Sequence, residues 1–121
     1  MVIFLDTYAI IEIDKGNPAY SGYSLTPSEV ITTILNLVEV HFYYLRNYGP
    51  GEAKRIYQRV MALVIDLDEG IINAASWLKL RHRRRLSYAD CIGYATSQRF
   101  EAQFVTGDYG FKDMKDVVYL R

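Results

Sequence analysis

The chain has 121 residues, half of them hydrophobic, with 14 basic and 14 acidic side chains and a formal net charge of zero. That length suits one domain, expected to span residues 1–121, with a core that needs no disulfide or structural zinc. The lone cysteine, Cys91, excludes an internal bridge and suits a reducing, cytoplasmic setting, and the longest apolar runs fall far short of the roughly 20 residues that cross a bilayer.

In chain order, Val2 to Leu5 is an apolar, partly β-branched run that ends at Asp6, too short for a signal peptide and suited to a buried strand. Tyr8 to Asp14 predicts a short helix, stopped by the turn cluster Lys15-Gly16-Asn17-Pro18. Thr26-Pro27-Ser28-Glu29 has the form of a capped helix start, with a hydroxyl, then proline, then an acid at the third position. Val30, Ile31, Ile34, Leu35, Val38, Phe42 and Leu45 follow at helical intervals. The spacing predicts one amphipathic helix of about 20 residues, ended by Gly49-Pro50-Gly51.

Glu52 to Arg59 predicts a further helix leading to a strand near Ala62 to Ile65. Asp68 can cap another helix, with Ile71, Ala74, Ala75 and Leu78 facing inward. A last helix runs from Ser87 to about Phe100, followed by a strand at Gln103 to Thr106, a turn at Gly107 to Gly110 and a closing strand at Val117 to Leu120. Strands that alternate with helices pair in parallel, with helices on both faces of the sheet, so the fold class is α/β.

Four acids stand out. In an open parallel sheet, ligands bind beyond the carboxyl ends of the strands. Asp6 follows the first strand and Asp108 lies two residues past the strand that ends at Thr106, so both sit on that rim. Turns favour aspartate for local reasons as well. Glu39 lies within or beside the apolar stripe of the long helix, where a carboxylate needs a partner unless it reaches solvent. Ser87 and Asp90 have capping-box spacing, which is compatible with ligand binding because a carboxylate has two oxygens. Gly93, one turn on, is expected to leave open space beside Asp90.

Converged carboxylates repel and raise one another's pKa values, and a hard cation, Mg²⁺ or Mn²⁺, relieves that repulsion. Such an ion can activate water and stabilise charge at phosphorus. His41 and His82 lie in no recognisable nucleophile motif, and no glycine-rich phosphate loop is present.

The segments VIFLDTYAII, NLVEV, LSYADCIGYATS and FVTGDYGF, in this order along nearly the whole chain, resemble PIN domains, and within them VapC-type toxin ribonucleases. The resemblance implies a three-layer α/β/α fold around a parallel sheet of four or five strands. It also implies Mg²⁺- or Mn²⁺-dependent endoribonuclease activity, with Asp6, Glu39, Asp90 and Asp108 as metal-holding catalytic acids and Thr7 and Thr106 as supporting hydroxyls. A homodimer and a small antitoxin partner are implied too. Many relatives carry another acid where this chain has Gly110, which implies one firmly held ion and a second that arrives with substrate.

Lys79, Arg81, Arg83, Arg84 and Arg85 fall within seven residues just before the helix of Asp90. These arginines either hold RNA phosphates or form a solvated face. Tyr43, Tyr44, Tyr48 and Tyr57 fit packing, an interface or base stacking. Two rival functions differ in class. One is a catalytically silent RNA- or protein-interaction module. The other is a phosphorylated receiver, which would want paired acids after the first strand and a late-strand lysine; Thr7 and the run Gln103 to Thr106 provide neither.

Overall fold

A computed structural model describes residues 1–121. Its strands are β1 (Ile3–Leu5), β2 (Val30–Ile31), β3 (Gln103–Thr106) and β4 (Val117–Tyr119). Its helices are α1 (Thr7–Asp14), α2 (Ile34–Tyr48), α3 (Pro50–Met61), α4 (Glu69–Arg81) and α5 (Tyr88–Arg99). The sheet order is β2-β1-β3-β4, parallel throughout, with Phe4 opposite Phe104 and Thr106 opposite Tyr119. No helix is long and apolar enough to cross a membrane.

Alternation along the two central strands divides the core in two. Leu5 and Val105 face α1, α2 and α3, where they pack with Ile10, Leu37, Val40 and Ile56. Phe4 and Phe104 stack on the opposite face, with centroids 5.2 Å apart, against Ile71, Cys91, Tyr94 and Phe111 from α4, α5 and the loop before β4. The result is the expected α/β/α sandwich, with four strands.

Three local expectations change. The capping signal at Thr26 produces only a turn, closed by Glu29 and Val30 N–H groups on the Thr26 carbonyl. Behind it lies the β-branched run Val30-Ile31-Thr32-Thr33, which favours extended backbone; Val30 and Ile31 pair with β1 and Thr33 becomes the N-cap of α2. The start of the helix therefore lies seven residues later than the signal, with the N-cap at Thr33 in place of Thr26. Second, Leu37, Val40 and Tyr44 are the buried apolar side chains of α2, whereas Ile34, Val38, Phe42 and Leu45 are exposed, Val38 and Phe42 at 58% each. The conspicuous apolar stripe faces outward, and Ala74 of α4 likewise lies outside the core. Third, the segment near Ala62 to Ile65 makes one parallel bridge, Thr32 with Val64, and no fifth strand.

Of the tyrosines on α2 and α3, Tyr44 is a packing residue whose hydroxyl donates to Asp14, while Tyr48 and Tyr57 are exposed. Asp14 also accepts hydrogen bonds from the two terminal guanidinium nitrogens of Arg55 and from one of Arg59, which ties the end of α1 to α3. Burial works to raise the Asp14 pKa, but the Arg55 and Tyr44 hydrogen bonds outweigh it and hold the carboxyl below its ordinary value. A depressed folded pKa stabilises above the unfolded carboxylate pKa and is lost as pH falls through the folded value. Asp14→Asn is expected to cost about 2 kcal/mol at pH 7, with the difference shrinking below about pH 4. Urea unfolding at both pH values checks this, and a pH-independent cost would show that the ion pairs contribute nothing.

Candidate active site

All four acids line one open cleft of about 990 Å³ at the carboxyl rim of the sheet, together with Thr7, Asn36, Gly107 and Arg121. Asp6 directly follows β1 and caps α1, its Oδ1 accepting from the Ala9 N–H at 2.9 Å. Its Oδ2 accepts from the Thr106 hydroxyl at the end of β3. Thr106 Oγ1 in turn accepts the Asp108 N–H at 2.9 Å, so the hydroxyl proton is directed to Asp6. Only 6% of Asp6 is exposed. Burial, reinforced by the charges of Asp90 and Asp108 and opposed by the Thr106 and Ala9 bonds, pushes its pKa up to about 7.

Glu39 is exposed on α2 yet not free. Thr7 Oγ1 donates to its Oε1 at 2.5 Å, Asn36 Nδ2 donates to Thr7 Oγ1 at 3.1 Å, and Thr33 Oγ1 donates to Asn36 Oδ1 at 2.6 Å. This chain of hydroxyl and amide groups holds Glu39 against the start of α1. Asp90 completes a capping box, accepting the Ser87 N–H at 2.9 Å while the Ser87 hydroxyl accepts the Asp90 N–H at 3.1 Å. Its pKa is raised, chiefly by burial and further by Asp108. Asp108 caps the short 3₁₀ turn Tyr109–Phe111, accepting the Gly110 N–H at 2.9 Å.

One glycine differs from expectation, and a second marks a close crossing of the chain. Gly93 does not open space beside Asp90: a Cβ there would lie 3.1 Å from the Phe4 ring, so this glycine lets α5 approach the sheet. At Gly107 a Cβ would fall 2.1 Å from the Tyr8 ring and 2.6 Å from the Leu120 carbonyl. Only glycine admits that crossing of β3, α1 and the chain end beneath the cleft.

A family comparison matches residues 3–117 to the PIN domain. The chain belongs to the PIN domain family. Solved structures similar to it include a toxin–antitoxin complex from Klebsiella pneumoniae, at 18% identity and TM-score 0.77, covering 96% of this chain and 95% of that one. FitAcB from Neisseria gonorrhoeae aligns at 16% identity and TM-score 0.70, covering 99% and 97%. The sarcin–ricin loop cleaving toxin VapC20 of Mycobacterium tuberculosis aligns at 18% identity and TM-score 0.66, covering 94% and 92%. At these identities the likeness is one of fold. No curated protein matches significantly.

In this PIN domain the basic run stands apart from the acids. The side chains of Arg81, Arg83, Arg84 and Arg85 are exposed and none lines the acid cleft; Arg81 borders a second groove between α4 and α5. Lys79 is structural, donating to the carbonyls of Arg83 and Leu86 at 2.9 and 2.8 Å and so closing the turn before α5. Asn36, Tyr8, Tyr109 and Arg121 line the cleft although nothing in the sequence singled them out. Asn36 had one available signal, lying three residues before Glu39 and hence on its helix face.

The donors around the cleft are carboxylate and hydroxyl oxygens, which suit a hard cation. No three His, Cys, Asp or Glu side chains stand close enough to hold a metal by themselves. A single hard cation there would take one or two of these carboxylates and complete its shell with water or phosphate oxygens. The raised pKa of Asp6, buried beside two further acids, is the electrostatic cost that a cation would offset.

The sign of that cost is testable. Between an unfolded value of about 3.9 and the folded value of about 7, the folded state binds more protons, so stability falls as pH rises. Asp6→Asn retains an acceptor for the Ala9 N–H without the charge. In EDTA at pH 8 it is expected to exceed the wild type by on the order of 2 kcal/mol, several degrees in Tm, with the gap closing toward pH 4. Thermal melts across that range check it; parallel curves would mean that Asp6 titrates normally.

Proposed function

We propose that this PIN domain is a divalent-metal-dependent endoribonuclease, using Mg²⁺ or Mn²⁺, and the toxin of a toxin–antitoxin pair acting in the cytoplasm. The observation that carries the reading is the meeting of Asp6, Glu39, Asp90 and Asp108 on one cleft, from β1, α2, α5 and the loop after β3. Family membership and the toxins among the similar structures support it.

On this reading one or two carboxylates of the set Asp6, Glu39, Asp90 and Asp108, completed by water and phosphate oxygens, would hold the cation, which would supply an activated water and neutralise charge at the scissile phosphodiester. Thr106 keeps Asp6 oriented as an acceptor, since its own oxygen is occupied by the Asp108 N–H. Thr7 and Asn36 do the same for Glu39. The Arg121 guanidinium, at the cleft wall, is available to the negative charge of the RNA backbone. Arg81, Arg83, Arg84 and Arg85 extend backbone contact outside the cleft. The exposed α2 stripe of Ile34, Val38, Phe42 and Leu45 supports a protein partner on that face, a second copy in a homodimer or the antitoxin.

Purified protein is expected to cleave members of a labelled RNA panel in Mn²⁺ or Mg²⁺ and not in EDTA. Asp6→Asn should lose at least about 100-fold in rate, the upper end of what removal of a merely supporting partner costs. Cleavage that survives in both controls would be a contaminant's, and absence of cleavage together with tight RNA or protein binding would favour a silent interaction module. Replacing Arg83, Arg84 and Arg85 with glutamine should weaken RNA binding in EDTA and lower its salt slope by about 2. Identical binding across a salt series would remove the basic turn from the RNA path.

A further inference from the structure

We infer that the β4-side wall of the cleft is a stacking subsite for one unpaired nucleotide of the substrate strand, with Tyr109 under the base and Lys112 at its phosphate. The inference rests on the ribonuclease reading and assigns a location for the strand next to the acids.

The 3₁₀ turn after Asp108 carries two aromatics with opposite fates. Phe111 is fully buried, its ring 4.5 Å from that of Phe104 and 6.1 Å from that of Tyr94, and it anchors the turn to the core. Tyr109, two residues earlier and adjacent to Asp108, is 69% exposed on the cleft wall. An exposed ring on an anchored turn offers a stacking face at little entropic cost. It leans on Tyr119, edge to face at 6.4 Å and 83°. Tyr119 is opposite Thr106 in register, at the carboxyl end of the edge strand, so this wall runs from the acids to the sheet edge.

Cations are interleaved with these rings. Lys112 Nζ lies 5.4 Å from the Tyr109 centroid and 5.9 Å from that of Tyr119. The Arg121 guanidinium lies 5.4 Å from the Tyr8 centroid and donates to the Gly107 carbonyl at 3.2 Å. Neither cation is in an ion pair; those of this chain use Glu12, Asp14, Glu52 and Asp68. The opposite wall, from α2, presents Val38, Phe42 and Tyr43, with the Arg46 guanidinium 5.8 Å from the Phe42 centroid; what sets the β4 side apart is that Tyr109 directly follows the acid Asp108 on an anchored turn. Aromatic faces alternating with unpaired cations are the chemistry that binds single-stranded nucleic acid, by stacking and phosphate contact. A duplex keeps its base faces covered and cannot use Tyr109.

The test is fluorescence anisotropy of a labelled single-stranded RNA hexanucleotide in EDTA, with an abasic hexanucleotide and an RNA duplex as comparisons. Tyr109→Ala is expected to raise Kd for the hexanucleotide about 5- to 100-fold, Tyr109→Phe to bind like the wild type, and Lys112→Gln to lower the salt slope by about 0.7. The Tyr109→Ala effect should vanish on the abasic strand. Circular dichroism verifies the fold of each variant, and Tyr57→Ala, an exposed tyrosine on α3, controls for loss of any surface ring. Equal binding by wild type and Tyr109→Ala, or an equal loss on the abasic strand, overturns the stacking subsite and leaves the ribonuclease reading standing. Duplex bound as tightly as single strand overturns it as well. A wild type that binds no RNA overturns the subsite, while cleavage of the RNA panel in Mn²⁺ or Mg²⁺ decides the ribonuclease reading separately.

Discussion

The carboxylate of Asp6 lies where three elements meet, and its hydrogen bonds decide how they meet. One oxygen satisfies the first turn of α1 and the other receives the hydroxyl that ends β3. Through Thr106 the backbone of Asp108 is drawn to the same point. The turn from β1 into α1 and the exit of β3 are therefore mutually constrained, and residues 100 positions apart in the chain become neighbours at the rim. A charge in so dry a position is unfavourable by itself, and the other acids make it more so. Buried like charges whose pKa values are raised in this way are a common mark of function.

Around that point the cleft has two unlike walls. On the α2 side, a polar relay from Thr33 through Asn36 and Thr7 fixes Glu39, and beyond it the helix turns an apolar stripe outward. On the β4 side, tyrosines and unpaired cations lie beside Asp108. Protein partners favour the first kind of surface and a nucleic acid strand the second.

The helix and strand inventory was largely readable because α/β chains alternate two periodicities that differ strongly. The failures have specific causes. At Thr26 a genuine capping signal was outweighed by a run of four β-branched residues, of which Val30 and Ile31 found a strand partner in β1. On α2 the periodicity was correct but its direction was not. Period alone cannot tell a stripe that meets the core from one left for a partner, and Leu37, Val40 and Tyr44 took the inner face. Gly93 was read as space and is a point of contact with Phe4, since a missing side chain looks the same in a sequence whether a ligand or a neighbouring ring uses the room.

What the sequence by itself determined is the set of local, ordered features: the α/β class, the strand ends that carry Asp6 and Asp108, the capping box at Asp90, and the motif order that marks the PIN family. Each depends on residues within a few positions of one another. What only the tertiary structure decided is everything that depends on distance across the fold. That includes the shared cleft, the Thr106 bond to Asp6, the Asn36 relay, the displacement of the arginine run from the acids, and the arrival of Tyr109, Tyr119 and Arg121 beside them. The reason is physical: strand order and packing set these distances, and they arise from the burial of two separate hydrophobic faces that no local spacing records.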